Sequence, residues 1–324
     1  MLKELPHFTD AQILAARPPK NHVDPRRPYA FFLEEEYSGQ GCLEQVATVF
    51  LTNRECPFRC LMCDLWKNTT DQSVAVGDIP AQIDFAFQQL GLEEVSAREE
   101  VRQVKLYNSG NFFDSQAIVR QDWPRIGERL VDFQRTIVEN HPRLCNDACL
   151  QFRDSLSGEL EIALGLETVH PEILPRLNKQ MTLVDFQRAV EFLRGHQVDV
   201  RAFILLKPPS LDEEEGVHWA IQSIQYAFDV GVECCSIIPT RTGNGIMEQL
   251  QAAGRFQPPG VRSMEQVLEA GLQMKQGRVF MDLWDAEKFC PCQECASDRL
   301  QRLEIMNKTQ QVPEPVRCSR SGCG

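Results

Sequence analysis

Cys56, Cys60 and Cys63 fall within eight positions of NRECPFRCLMCDLW, residues 53–66. Thiols this close pair poorly as structural disulfides, and in a reducing compartment such groups more often bind metal. A structural zinc site usually recruits four ligands, and a ferredoxin-type cluster does the same. C-x3-C-x2-C on one loop offers three, so thiolates holding three irons of a cubane leave the fourth iron open to another ligand. Zinc knuckles are usually built on C-x2-C pairs, and the x3 gap weighs against them.

The chain has thirteen cysteines, and a second group lies near its end. Cys290, Cys292 and Cys295 are followed by Cys318 and Cys323. The last four, as C-x2-C with C-x4-C, suit a tetrahedral thiolate site that ties the terminus to the rest of the protein. Zinc is preferred there, and an auxiliary iron-sulfur cluster is the rival. The segment is too short to form its own core, so metal is the expected staple. Cys145 and Cys149 lack a third partner nearby, and Cys234 and Cys235 read as small apolar residues inside a strand.

The elements that must position the first loop form a repeating pattern. Residues 46–52, 101–108, 134–140, 160–167, 198–206 and 232–239 read as six largely buried strands, bounded by polar or turn residues. Amphipathic stretches separate them: Val217, Ile221, Ile224 and Phe228 share one helical stripe, and Thr182 is the expected N-cap of a helix ending near Gly195. The alternation predicts an α/β fold of parallel strands and right-handed crossovers, as an open sheet or a barrel. Both designs put chemistry at the carboxyl ends of the strands. The cysteine loop follows the first of these strands directly. Asn108 and Ser109, Glu139 and Asn140, Gly165 and Glu167, Lys207, and Thr240 with Arg241 collect at the others.

At 324 residues, 43% hydrophobic and 25% charged, the chain can bury one large core or two modest ones. No apolar run approaches the roughly twenty residues of a membrane helix, and MLKELPHFTDAQ lacks a signal peptide's apolar stretch. A soluble, cytoplasmic protein without membrane contact is expected. The net charge of −12 argues against a broad nucleic-acid surface. Arg17, Lys20, Arg26 and Arg27 lie close together in a proline-containing segment that reads as a basic arm or as a solvated tail. Three segments are expected: an N-terminal extension (1–45), a core (46–285) and a cysteine-rich, metal-binding extension (286–324).

The cysteine loop and its place resemble the radical S-adenosylmethionine (radical SAM) superfamily, whose C-x3-C-x-Φ-C loop follows the first strand of a partial (β/α)6 barrel of TIM type. The resemblance spans roughly residues 46–285. It implies that Cys56, Cys60 and Cys63 hold a [4Fe-4S] cluster, with Met62 at the Φ position. It also implies SAM as cofactor, cleaved to methionine and a 5'-deoxyadenosyl radical with an electron from a reductant such as ferredoxin or flavodoxin. YNSGNF (107–112) stands where the family has its Gly-rich turn, which implies Ser109, Gly110 and Asn111 as cofactor contacts. EIALGLET resembles the family's G-x-I-x-G-x-x-E, implying Gly165 and Glu167, and Glu139 resembles an acidic residue that lies near SAM.

KLYNSGNFFD, ALGLETVHPEILPRLNKQMT, FILLKPPSLDEEEG and GIMEQLQAAGRFQPPGVRSMEQVLEAG resemble, in this order, the branch containing the radical SAM subunit of archaeosine synthase and the radical domain of the Elongator catalytic subunit. That branch implies a modified nucleobase or nucleoside as substrate, related to tRNA or 7-deazapurines, with tRNA or a tRNA-modification enzyme as partner. Lys207 and Glu167 are then the expected catalytic residues. Glu139, Glu167, Lys207 and Arg241 together supply both signs of charge for an amino-acid-like side chain. Two other readings stay open: a radical SAM enzyme acting on an unrelated small molecule, and a non-catalytic iron-sulfur or zinc protein of electron transfer or interaction.

Overall fold

The computed structural model describes residues 4–94, 98 and 100–319. Its centre is one eight-stranded sheet with the strands in sequence order. Strand β1 (Ala30–Tyr37) runs antiparallel to β2 (Leu43–Phe50). From β2 onward each strand is parallel to the next: β3 (Val101–Tyr107), β4 (Arg135–Asn140), β5 (Glu159–Glu167), β6 (Asp199–Leu206), β7 (Cys234–Pro239) and β8 (Arg278–Met281). The sheet curls into a half-barrel. All six strands expected from the sequence form, each close to its expected bounds.

Two strands escape the sequence pattern. Residues AFFLEEEY carry three consecutive glutamates, which hide the alternation of β1, and β8 is only four residues long. In the structure those glutamates point different ways. Glu36 is 7% exposed beneath Arg201 and Lys105, Glu34 meets Lys105, and Glu35 pairs outward with Lys308. Thus β1, within the expected N-terminal extension, is part of the sheet.

The connections are helical. Helix α1 (Asp10–Ala16) precedes the sheet, and α2 (Asp78–Gln89), α3 (Trp123–Arg129) and α4 (Asp147–Arg153) follow β2, β3 and β4. After β5 come α5 (Ile173–Arg176) and α6 (Leu183–Gly195), after β6 α7 (Glu213–Asp229), after β7 α8 (Ile246–Ala252) and α9 (Val261–Met274), and after β8 α10 (Ala296–Thr309). Thr182 caps α6 as expected, in a reciprocal bond pair with Asp185. Among the described residues no helix is long and apolar enough to cross a membrane.

Alternation along the strands separates two chemistries. Val104 and Leu106 of β3, Ile162 and Leu164 of β5 and Ala202 and Ile204 of β6 join the apolar core. The alternate positions Lys105, Glu161 and Arg201 meet in a buried ionic layer with Glu36 and Arg278. Above it lie aromatic rings: Tyr107 is 5.8 Å from Phe50 and 6.1 Å from Phe203, centroid to centroid. The half-barrel is therefore filled low down and carries its chemistry at the carboxyl ends of its strands.

An open barrel leaves an edge to protect. Helix α10 supplies that protection at β8 through two side-chain amides. Gln310 accepts from the Val279 N–H at 2.8 Å and donates to the Val279 carbonyl at 3.0 Å. Asn307 does the same at Met281, at 2.9 and 2.8 Å. Together they stand in for a ninth strand. Replacing both with leucine orphans four backbone groups and is expected to lower stability by about 2–4 kcal/mol in urea denaturation. A control, Lys308→Ala, removes only exposed ion pairs and should stay within about 1 kcal/mol.

Candidate active site

The loop bearing Cys56, Cys60 and Cys63 leaves β2 and is held from several sides. Glu55 gathers Arg17 at 2.6 Å, Lys20 at 2.8 Å and Arg59 at 3.1 Å. The guanidinium of Arg17 lies over the Trp66 ring, 4.4 Å from its centroid, and the Trp66 indole N–H donates to the Cys63 carbonyl at 3.0 Å. Phe58 stacks on His141 at the end of β4, with centroids 3.8 Å apart. Asn244, in the turn after β7, donates to the Leu61 carbonyl at 2.7 Å and the Cys63 carbonyl at 3.2 Å.

The basic segment expected as an arm or tail is thus fastened to this loop. Lys20 also bonds Asp71, and Asn21 donates its backbone N–H to the Lys67 carbonyl at 2.9 Å. Leu5 and Ile13 are buried with Leu61, Leu177, Leu205, Met247 and Phe256 in a second apolar cluster. The charges of Arg17 and Lys20 are consumed within the fold, because Glu55 and Asp71 lie within ion-pair reach of them. Arg26 and Arg27 keep much of their exposure.

The turn after β3 comes to the first thiol. Asn111 donates from Nδ2 to Cys56 Sγ at 3.1 Å. Glu139 receives the backbone N–H of Asn108 at 2.6 Å and of Gly110 at 3.3 Å, while its own carbonyl accepts from Phe112 N. Burial pushes the Glu139 carboxyl upward, against those backbone bonds. Ser109 sits at φ 52° and its hydroxyl bonds Tyr29 at 2.9 Å. Glu139 therefore shapes the Ser109–Asn111 turn from beneath.

A buried cation acts on the thiols that no local sequence pattern singles out: Lys179, whose ammonium is 2.5 Å from Glu167 Oε1. Both residues are buried, at 8% and 6% exposure. Burial lowers the Lys179 pKa, but the attractions around it, led by the Glu167 carboxylate, more than reverse this and hold it charged. Gly165 makes room for the pair, since a Cβ there would overlap the Lys179 ammonium and the Glu167 carboxylate. Lys179 lies between Asn178 and Gln180, both at positive φ, in a stretch of polar residues that gave no periodic signal.

Lys207 faces elsewhere. Its ammonium is ion-paired with Glu213 at the start of α7 and lies 3.4 Å from the Pro258 carbonyl. Glu213 in turn receives the Gly260 N–H at 2.7 Å and the Ser263 hydroxyl, which fixes α7 to the start of α9. Arg241 is paired with Asp282 at 2.8 Å. The structure thus brings Cys56, Cys60, Cys63, Asn111, Glu167 and Lys179 together and spends Lys207 and Arg241 on holding loops.

The donor set suits a thiophilic group. Burial pushes the Cys60 thiol up to about 12 and raises Cys56 and Cys63 as well, a penalty that a bound metal cluster removes by drawing the thiolates to itself. Among the described residues, one group of three possible ligands has its donor atoms within 4.8 Å of one another, namely Cys292, Cys295 and Cys318.

No family model matches the chain. It is 25% identical over 283 residues to the archaeosine synthase subunit beta of Methanosarcina acetivorans, covering 82% of this chain and 77% of that protein. It is 23% identical over 256 residues to an uncharacterized protein of Methanocaldococcus jannaschii, covering 76% and 70%. Its fold matches the solved Elp3 of Methanocaldococcus infernus, lacking that protein's N-terminus, with a TM-score of 0.51 and 14% identity over 70% of this chain. Its fold is that of radical SAM proteins. It spans 59% of the length of that solved Elp3 chain.

The cysteine tail packs beside the barrel. Arg302 donates to the Pro313 and Glu314 carbonyls and Arg299 to the Val316 carbonyl, laying the extended tail back along α10. Cys318 Sγ then reaches to 3.8 Å from Cys292 Sγ. Cys323, expected as a fourth ligand, lies outside the described residues.

Proposed function

We propose that this chain is a radical SAM enzyme that binds a [4Fe-4S] cluster at Cys56, Cys60 and Cys63 and acts on a modified nucleobase or nucleoside. The observation that carries the reading is the buried Lys179–Glu167 pair beside three thiols on the loop after β2. When bound, the cluster supplies one electron that cleaves SAM to methionine and a 5'-deoxyadenosyl radical. The rest is done by this chain's own groups. Lys179 offers a fixed positive charge to the SAM carboxylate, Glu167 holds that ammonium in place, and Asn111 steadies the Cys56 thiolate. The N-terminal segment braces the loop through Arg17 and Lys20, which both pair with Glu55.

The nucleobase substrate is supported by the similarity to archaeosine synthase subunit beta. The electron comes from a low-potential donor such as ferredoxin or flavodoxin. With Arg17 and Lys20 already paired, direct tRNA binding depends on the remaining basic groups or on a partner enzyme. The tail triad fits one zinc ion: four thiolates at about 2.3 Å from a single centre stand about 3.8 Å apart, the separation of Cys292 and Cys318.

Anaerobic reconstitution with iron and sulfide tests this. The wild-type chain should absorb near roughly 400 nm, as thiolate-bound clusters do, and form 5'-deoxyadenosine from SAM under dithionite. Cys60→Ala should do neither, and Cys295→Ala should retain both. Absence of 5'-deoxyadenosine from a protein with a full cluster would overturn the reading.

A further inference from the structure

Trp284 is the most exposed large apolar side chain among the described residues, at 64%. Trp66 and Trp123 are buried and Trp219 is partly so. Isolated exposed apolar groups are common and need no function. Trp284 differs in how firmly its backbone is fixed while its indole is left in solvent. Its N–H donates to Asp282 at 2.9 Å, and its carbonyl accepts from the Arg241 guanidinium. Arg241 is itself anchored by Asp282, by the Pro239 carbonyl at 3.1 Å and by the Phe289 ring at 5.3 Å.

The position matters as much as the rigidity. Trp284 follows β8 at the carboxyl end of the sheet, the end that bears the cysteine loop. Three residues beyond Arg241, Asn244 bonds the carbonyls of Leu61 and Cys63. One short turn therefore ties the Trp284 platform to the loop that holds the thiols.

A chain of net charge −12 gains little from phosphate contacts, and Arg17 and Lys20 are already paired. An attraction that needs no charge is the stacking of a planar base on an aromatic face, worth about 1–3 kcal/mol per base. We propose that Trp284 is the surface on which the heterocyclic base of the substrate stacks at the lip of the site, with Arg241 as its positioning residue. This rests on the nucleobase reading above and adds the residue that selects for it. The base can come from a free nucleotide or from a looped-out position in RNA, and the same indole face serves both.

The test uses full-length reconstituted protein with two probes, guanosine monophosphate and an unmodified tRNA transcript. Affinity is measured alongside acrylamide quenching of tryptophan emission. Whichever probe binds the wild type should shield emission from acrylamide. Trp284→Ala should weaken that probe at least tenfold, Trp284→Phe should stay within about threefold, and SAM cleavage without either probe should be unchanged in both. Equal binding by wild type and Trp284→Ala would overturn the stacking role and leave the nucleobase reading intact. If neither probe binds a wild-type protein that cleaves SAM, both fall. The probe that binds identifies the source of the base.

Discussion

Lys179→Met is expected to weaken SAM binding by roughly 30- to 5000-fold, the 2–5 kcal/mol lost when one partner of a buried charge pair is truncated. The reason is local. Glu167 Oε1 receives the Lys179 ammonium at 2.5 Å, both groups are buried, and the Cys60 and Cys56 sulfurs act on the same ammonium. Without the lysine, an anionic ligand entering this site meets an unpaired carboxylate and thiolates with no cation between them. Gly165→Ala should give the same defect by displacing the pair, although it removes no charged group. Lys207→Met should leave SAM affinity within about threefold, because that ammonium is spent on Glu213. Equilibrium binding of SAM to the three reconstituted variants checks this, and a defect confined to Lys207→Met would reverse the assignment.

The contrast between the two lysines shows what the sequence made legible. Strand positions could be read because valine and isoleucine runs recur between amphipathic helices, and the three thiols because their spacing is local to one loop. Both signals lie within a few consecutive residues. Lys207 looked suitable because it follows a strand directly, but its backbone at φ 57° and the glutamate six residues on draw the side chain to α7. Lys179 sits twelve residues beyond Glu167 in an irregular stretch, and only the folded path returns it to the strand end. The same holds for Arg17 and Glu55, which are 38 residues apart in sequence and 2.6 Å apart in space. A basic cluster read along the chain looks free, and its partners appear only in three dimensions. Strand β1 was hidden for the opposite reason: its glutamates look like a solvated run, yet two of them serve buried cations.

One of those cations, Arg201, is also held by a second buried carboxylate, Glu161. Glu161 is fully buried, 2.6 Å from Arg201 and within 3.2 Å of both Arg135 and Arg278. Burial raises its pKa, but the attraction of Arg201, Arg278 and Arg135 prevails and brings it from 4.5 to about 2. A carboxyl depressed on folding stabilises the native state at pH values above its unfolded pKa, and that contribution fades as pH falls toward the folded value. The shift corresponds to about 3 kcal/mol, so wild-type stability should decline between about pH 5 and pH 2. Glu161→Gln removes the charge at nearly constant shape and strands buried guanidinium groups, which should cost about 3–5 kcal/mol at pH 7. Because the titrating group is gone, the variant's loss relative to wild type should shrink as pH falls toward 2. Adding Arg201→Met should cost less than the sum of the two single changes, since one unpaired charge leaves with the other. Urea denaturation of the four proteins at pH 7 and pH 3 measures all three effects. Strict additivity with no pH dependence would mean that Glu161 contributes through its packing rather than its charge.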